Sequence, residues 1–224
     1  MSNLDQTIIV GFGYKARRGK DTATQAIVER FKGEYDVRRY AFADELKREV
    51  NQAAEAAGGM WQLYWKMRES GQLPSSVAFD TNPDMTDPLC PLGKQRQLLQ
   101  WWGTEYRRAQ YKDYWVYRLE QRLELEQPKF ALISDLRFPN EWAWIKKNLG
   151  KTVRLDRVGF DDAAHGTNAG HISEHALDGF EFDYALAVPD GDVEELKRRA
   201  ITTFEEIVAC YQMPTFELEF EVQG

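Results

Sequence analysis

Cysteine is scarce in this chain: Cys90 and Cys210 are the two cysteines among 224 residues, and they lie far apart without any C-x-x-C spacing. A disulfide framework or a cysteine zinc site is therefore not expected, and a reducing compartment fits. Long apolar runs are also missing, since none approaches the ~18 residues that a membrane span needs. The first five residues hold no basic stretch followed by an apolar one. These absences predict a soluble, unexported protein with no membrane partner.

An excess of positive charge is missing as well. Lys and Arg total 29 against 36 for Asp and Glu, which gives a formal net charge of −7. This balance disfavours a protein that coats nucleic acid, which would be basic overall. Basic residues still occur in local pairs, and each pair either meets an anionic ligand or is a solvated face. These pairs are Arg17-Arg18, Arg38-Arg39, Arg107-Arg108 and Lys146-Lys147.

A glycine-rich stretch near the start of the chain is its most informative feature. Residues 7–12 are apolar and β-branched and predict a buried strand. From Thr22 onward, apolar residues recur at spacings of three and four, which predicts a helix. Between them lies a loop that ends in Gly19-Lys20-Asp21-Thr22. A strand, a glycine-rich loop and a helix in this order predict a phosphate-binding loop.

The chemistry of phosphate binding explains these residue types. Gly13 and Gly19 are expected to adopt positive φ, so that backbone N–H groups and the helix N-terminus face phosphate oxygens. Lys20 would supply a point charge to the β- and γ-phosphates. Five residues rather than four separate the two glycines, and Asp21 stands where Ser or Thr normally meets Mg²⁺, with Thr22 one place later. The alternative is an ordinary strand-to-helix turn rich in Lys and Arg.

The remainder of the chain alternates between strand and helix patterns and is long enough for one domain. Further strands are predicted at residues 36–42, 130–134, 152–155 and 184–188. Helices are predicted from residue 44, from residue 94, through residues 115–123, from residue 139 and over residues 192–211. The continuous apolar run at 130–134 indicates a central parallel strand, and a ligand is expected at its carboxyl end.

Two segments interrupt this alternation. Residues 58–93 contain two adjacent glycines and four prolines, and we interpret them as an insertion or mobile subdomain with a short aromatic helix at 60–65. Residues 159–175 are polar and predict a lid loop. This segment holds all three histidines; their spacing permits a metal site, but a solvated loop is favoured. They are His165, His171 and His175.

Three clusters are expected to face the same rim. Asp44, at the start of a helix, is either its N-cap or a group that orients an acceptor or a Mg²⁺-bound water. On the next helix, Arg96, Gln100 and either Gly103 or Thr104 share one face, which could hold a base and a phosphate. The alternative there is a surface helix whose tryptophans belong to the core.

The third cluster follows the apolar strand at 130–134. Asp135 stands at the strand end, where a P-loop enzyme keeps its Mg²⁺-ordering carboxylate. Arg137, two residues later, can reach a transferring phosphoryl group. A salt bridge between these two residues is the structural alternative.

Several segments together resemble the bacteriophage-type deoxynucleoside monophosphate kinases. They are Gly19-Lys20-Asp21-Thr22; Leu99-Gln100-x-x-Gly103-Thr104-Glu105-x-x-Arg108 followed by Tyr114-Trp115; and Asp135-x-Arg137-Phe138-Pro139-Asn140-Glu141. They occur in the right order and cover most of the chain. Asp21 in place of Ser or Thr belongs to the Gly-Lys-Asp-Thr variant of that family.

The resemblance implies an α/β, three-layer P-loop kinase fold over residues 1–224, with a central parallel sheet, an acceptor-binding insertion at 58–93 and a short lid at 159–175. The implied reaction transfers the γ-phosphoryl of ATP to a dNMP, giving ADP and a dNDP, with Mg²⁺. The implied catalytic residues are Lys20, Arg137, Asp135 and Arg18. ATP would contact Gly13, Lys15, Arg17, Gly19, Lys20, Asp21 and Thr22, of which Asp21 and Thr22 would order Mg²⁺. The acceptor site would comprise Asp44, Lys47, Arg96, Gln100, Gly103, Glu105, Arg108, Arg137, Asn140 and Glu141.

Other functions remain open at this point. One is a P-loop kinase for another small phosphorylated metabolite, and another is a non-catalytic ATP-binding regulator. The resemblance further implies a homodimer that acts on a small nucleotide in the cytoplasm, or the host cytoplasm for a viral protein, without a nucleic-acid partner.

Overall fold

The computed structural model describes residues 7–13, 15–160 and 174–212. The protein is an α/β protein with a five-stranded, all-parallel sheet flanked by helices. The strand order is β2-β3-β1-β4-β5. The strands are β1 (Ile8–Gly13), β2 (Val37–Tyr40), β3 (Phe130–Leu136), β4 (Lys151–Val158) and β5 (Tyr184–Pro189). All five strand predictions are thus confirmed, with ends that shift by at most three residues.

The helices occupy the intervals that the periodicity predicts. They are α1 (Lys20–Phe31), α2 (Phe42–Ala57), α3 (Met60–Glu69), α4 (Arg96–Trp101), α5 (Tyr114–Glu126), α6 (Pro139–Lys147) and α7 (Val193–Gln212). A π-helical segment, Trp102–Arg108, continues directly from α4. Within the described ranges, no helix is both long and apolar enough to cross a membrane.

The alternation of side chains along the strands builds a core on each face of the sheet. Ile9 and Ile133 pack in a large cluster with residues of α2 to α6. Val10, Phe12 and Leu132 belong instead to a cluster with α1 and α7. Strands β1 and β3 are therefore buried on both faces, as their unbroken apolar runs predict.

The parallel pairing brings two chain reversals together. Strand β1 pairs with β3 on one side and with β4 on the other, and Gly13 lies opposite Leu136 and Arg154. The loop after β1 therefore begins beside the end of β3. This juxtaposition brings the glycine-rich loop and the Asp135 cluster together at the carboxyl edge of the sheet.

Residues 58–93 form more regular structure than the sequence predicts. Helix α3 runs four residues beyond the predicted aromatic helix. Met60, Leu63, Leu73 and Cys90 are buried in the large cluster, so this segment packs on the domain core. Its role in acceptor binding stays a prediction. The predicted lid and two of its histidines, His165 and His171, lie largely or wholly outside the described residues.

One buried carboxylate organises the π-helical segment. Glu49 of α2 accepts hydrogen bonds from Trp102 Nε1 at 2.8 Å, Arg107 Nε at 2.6 Å and Tyr114 Oη at 2.5 Å. The wider turn of a π-helix rotates the residues that follow relative to an α-helix. A prediction of one continuous α-helix from residue 94 could not anticipate this rotation.

Helix α2 is capped by a residue from a distant strand. Asp135 Oδ1 accepts the N–H of Phe42 and its Oδ2 accepts the N–H of Ala43, both at 2.9 Å. The N-cap position itself is Ala41, and Asp44 lies inside the first turn. The reading of Asp44 as the N-cap is therefore wrong, because Asp135 already binds the amides that a local cap would satisfy.

Replacing Asp135 with Ala should lower the free energy of unfolding by about 1 to 3 kcal/mol, because two helix amides lose a charged acceptor. Urea unfolding without any ligand measures this. The matched control is Asp36→Ala, which removes an exposed carboxylate paired with Arg38 at 2.7 Å. That change should stay within about 0.5 kcal/mol. Equal losses in both variants would show that Asp135 does not hold α2.

Candidate active site

A cavity of about 450 Å³ opens at the carboxyl edge of the sheet. Four chain segments contribute to it: the loop and first turn of α1, the end of β3, the end of β4 and the residues after β5. Among the described residues, those that line it are Arg17, Gly19, Lys20, Asp21, Thr22, Ser134, Asp135, Arg137, Arg157, Phe160 and Asp190. Most of the predicted donor-binding and catalytic residues are thus in one place.

The loop conformation depends on Gly19 and on an unexpected second residue. Gly19 has φ 89°, and a Cβ there would lie 2.4 Å from Leu196 Cδ2. Gly13 does not have positive φ, so that part of the prediction is wrong. Close packing at Gly13 leaves no room for a side chain, because a Cβ there would lie 2.8 Å from the Phe182 ring. Arg17, which lies in the long spacing between the two glycines, is also left-handed, with φ 56°.

Lys20 is buried beneath the loop. Its Nζ donates a hydrogen bond to the main-chain carbonyl of Lys15, and 6% of the residue is exposed. Burial, followed by repulsion from Arg137, lowers the pKa of Lys20 to about 8, although Asp135, Asp21 and Glu174 act in the opposite direction. An ammonium with a depressed pKa gains from an anion placed beside it.

Asp21 is oriented by two neighbouring elements. Its Oδ1 accepts hydrogen bonds from Ser134 Oγ and from Arg39 Nη2, each at 2.8 Å. Burial raises the pKa of Asp21, but the hydrogen bonds from Arg39 and Ser134 outweigh it, so the pKa lies below its usual value. The carboxylate is therefore ionised at neutral pH and lies at the cavity rim.

Arg39 begins a chain of alternating charges that leads away from the cavity. Its Nη1 lies 2.9 Å from Asp44, and Asp44 lies 3.5 Å from Lys47 Nζ. Asp87 follows at 3.1 Å from Lys47 and binds Lys94 at 2.9 Å. Two predicted acceptor residues, Asp44 and Lys47, thus lie between the loop and the 58–93 segment.

Two arginines face one aromatic ring beside the loop. The guanidinium carbons of Arg18 and Arg157 each lie 4.6 Å from the centroid of the Phe160 ring. Arg157 Nη1 also donates to the carbonyl of Arg17 at 2.8 Å, and Asp190 forms an ion pair with Arg157. Phe160 falls within the predicted lid at 159–175, but the sequence singled out neither Phe160 nor Asp190, because their proximity depends on the β4–β5 pairing.

Arg137 is linked to the loop by a carboxylate. Its Nη1 donates to Glu174 Oε1 at 2.6 Å, while Glu174 Oε2 accepts the N–H of Ala16 at 2.8 Å. Glu174 was not among the predicted site residues. It falls within the predicted lid at 159–175, but nothing in the sequence singled out this residue or its contact with Arg137.

Glu141 is buried next to Arg137 and pairs with the partly exposed Arg108. Arg108 Nη2 donates to Glu141 Oε1 at 2.6 Å, and its guanidinium carbon lies 4.2 Å from the Phe138 ring centroid. Glu141 Oε2 accepts the N–H groups of Arg137 and Phe138 at 2.9 and 3.0 Å. Burial raises the pKa of Glu141, while Arg108 acts in the opposite direction. This pair fixes the backbone that carries Arg137.

The remaining predicted acceptor residues are dispersed. Asn140 lines a separate cavity of about 640 Å³ between α5 and α6. Gly103 is buried, and a Cβ there would lie 3.0 Å from Leu46 Cδ2. Three others are exposed and absent from the described lining of the loop cavity: Arg96, Gln100 and Glu105. The interpretation of Trp101 and Trp102 as core residues is confirmed.

The cavity offers oxygen ligands suited to a hard divalent cation. Asp21 and Thr22 both line it, and the Ser134 hydroxyl hydrogen-bonds to Asp21. Among the described residues, no cluster of three His, Cys, Asp or Glu side chains could hold a metal by itself. Mg²⁺ fits such a site, because it binds through one or two carboxylates together with waters and phosphates. Of the three histidines that the sequence offers as metal ligands, His175 lies within the described residues, and it forms a hydrogen bond with Asp178 at 3.1 Å.

Comparison with protein-family models gave no match to this chain, and no curated protein showed significant sequence similarity to it.

The pKa of Lys20 predicts how anion binding depends on pH. Affinity for ATP should fall as pH rises from about 7 to about 9.5, by up to about tenfold per pH unit above 8, because the free protein loses the Lys20 proton there. The phosphates of ATP are already ionised over this range. Calorimetry without a divalent cation measures the profile.

The control is Lys20→Arg, whose guanidinium stays protonated throughout this range. Its profile should be nearly flat. The same slope in the wild-type and in this variant would show that another group titrates.

Proposed function

We propose that this protein is a deoxynucleoside monophosphate kinase, which transfers the γ-phosphoryl of ATP to a dNMP and releases ADP and a dNDP. The observation that carries the proposal is the cavity in which the glycine loop, Lys20, Arg137 and Arg157 meet. Phosphoryl transfer depends mainly on positioning and on charge stabilisation. A rigid sheet edge that gathers several cations around a loop suits that requirement.

The donor phosphates would bind at the loop. The N-terminus of α1 provides N–H groups there, and Lys20 supplies the charge. A second cavity of about 100 Å³ shares Gly19, Thr22 and Arg157 with the first and extends to Pro189 and Leu196. A ligand whose phosphates lie at the loop can place its base in that direction.

The acceptor phosphate would approach from the Arg137 side. Arg137 lines the cavity, and Arg108 lies behind it, held by Glu141. A molecule that binds ATP alone has no need of a second cationic group opposite the loop, so Arg137 favours a transferase over a regulator. Arg137 would neutralise the charge that develops on the transferring group.

Mg²⁺ would be held by Asp21 and Thr22 together with the donor phosphates, and it would neutralise phosphate charge. Ser134 and Arg39 keep the Asp21 carboxylate in place. Asp135 supports this arrangement indirectly, since it accepts two amides of α2 and thereby fixes the helix next to Ser134.

The finer parts of the proposal follow from the resemblance. They are a P-loop kinase fold of the nucleoside monophosphate kinase type, an acceptor-binding role for residues 58–93, a lid at 159–175, a homodimer and a cytoplasmic location. The parallel sheet with a cavity at its carboxyl edge supports the first of these.

The direct test is ADP release with ATP, Mg²⁺ and a panel of canonical and modified dNMPs. We expect turnover with at least one dNMP, and a Lys20→Ala change should lower kcat/KM by about 10²- to 10³-fold, the usual cost of losing a charge-stabilising donor. The matched control is Lys32→Ala, which removes an exposed lysine at the opposite end of α1. It should leave turnover unchanged.

Turnover of another phosphorylated acceptor, with none for any dNMP, would replace this proposal with a different kinase. ATP binding that no acceptor affects, without any turnover, would favour a regulator.

A further inference from the structure

A carboxylate of the protein itself, Glu174, binds hydrogen-bond donors of the proposed phosphate site. Glu174 is 7% exposed. Its Oε2 accepts the N–H of Ala16 at 2.8 Å, and its Oε1 accepts Arg137 Nη1 at 2.6 Å. One side chain therefore bridges the loop backbone and the arginine at the end of β3.

The groups around this carboxylate are the ones that a phosphate would use. A loop N–H and a guanidinium are both strong donors to anionic oxygens. The negative charge of Glu174 also acts on Lys20, whose pKa it raises against the effect of burial. A carboxylate with these neighbours resembles a bound anion in both charge and contacts.

A second acidic residue contacts the same loop. Asp178 lies 4.0 Å from Lys15 Nζ, four residues after Glu174. Between the two acids, Leu177 is fully buried in the large core cluster and anchors the segment. We call Glu174 and Asp178 the acidic clasp, since together they place two carboxylates against the phosphate-binding loop.

We propose that the acidic clasp is an autoinhibitory contact: it occupies the anion site of the ligand-free protein and must leave before the phosphates of ATP can bind. The proposal rests on the proposed function in taking ATP as the ligand. A protein whose competent state is only partly populated binds its ligand more weakly by that fraction. The clasp thus sets the apparent affinity for ATP and the rate at which ATP enters.

Glu174→Gln tests the competition, because the amide keeps the side-chain volume but loses the charge. We expect about a tenfold lower Kd for ATP, mainly through faster association, as measured by stopped-flow with a fluorescent ATP analogue. Asp178→Asn should shift the Kd in the same direction by a smaller factor, since its contact with Lys15 is longer and more exposed.

Glu181→Gln is the charge-matched control, because Glu181 is an exposed acid of the same chain segment. It should leave both the Kd and the association rate unchanged. Glu174→Ala, checked by thermal unfolding, is the second variant and should also bind ATP more tightly.

The outcomes separate the two proposals. If the wild-type binds ATP, and both folded Glu174 variants bind it with unchanged or lower affinity, the clasp proposal is overturned. The kinase proposal is then left intact, and Glu174 serves to position Arg137. An equal gain in Glu181→Gln also overturns it, because the effect would then be one of overall charge. Failure of the wild-type and every variant to bind ATP overturns the proposed function and the clasp together.

Discussion

The parallel register between β1 and β3 is the constraint on which the candidate site depends. It sets Gly13 opposite Leu136, so the loop that follows β1 begins beside the end of β3. Asp135 and Arg137 stand on either side of Leu136 in the chain. Both line the cavity, and Asp135 also accepts hydrogen bonds from two backbone amides at the start of α2. A shift of one residue in this pairing would exchange the two faces of β3 and separate these groups.

Electrostatic balance is the second general feature of this edge of the sheet. Lys20, Arg18, Arg137 and Arg157 gather there in a chain that is acidic overall. Carboxylates of the protein compensate part of this charge: Glu174 pairs with Arg137, and Asp190 pairs with Arg157. Such pairs keep the cations ordered. In the proposed function a polyanionic ligand would replace the carboxylates, so that charged partners are exchanged for charged partners.

Much of the architecture is predictable from the sequence because it rests on local pattern. The continuous apolar runs of β1 and β3 predict burial on both faces, and both strands are found as predicted. The π-helical segment after Trp101 is not predictable in this way, since it depends on Glu49 binding Trp102 and Arg107. The start of α2 is likewise set by Asp135, which is more than ninety positions away in the chain.

The candidate site likewise contains residues that the sequence predicts and residues that it does not. Lys20, Asp21 and Thr22 are recognisable because a strand, a loop and a helix flank them, and all three line the cavity. Phe160 lines the cavity, Arg39 binds Asp21, and Glu174 binds Arg137 and the loop; these are tertiary contacts that no spacing in the sequence specifies. Of the predicted acceptor face, Arg96 and Gln100 are both exposed, whereas Gly103 of the π-helical segment packs against Leu46.

The most direct test of the account is a crystal structure of the protein with Mg²⁺, a dNMP and a non-hydrolysable ATP analogue. We expect the triphosphate oxygens to contact the N–H groups of Gly19 to Thr22. Lys20 Nζ should bind a phosphate instead of the Lys15 carbonyl, and Arg137 should bind phosphate instead of Glu174. A nucleotide bound elsewhere, with the Glu174–Arg137 pair intact and the loop cavity free of phosphate, would contradict it.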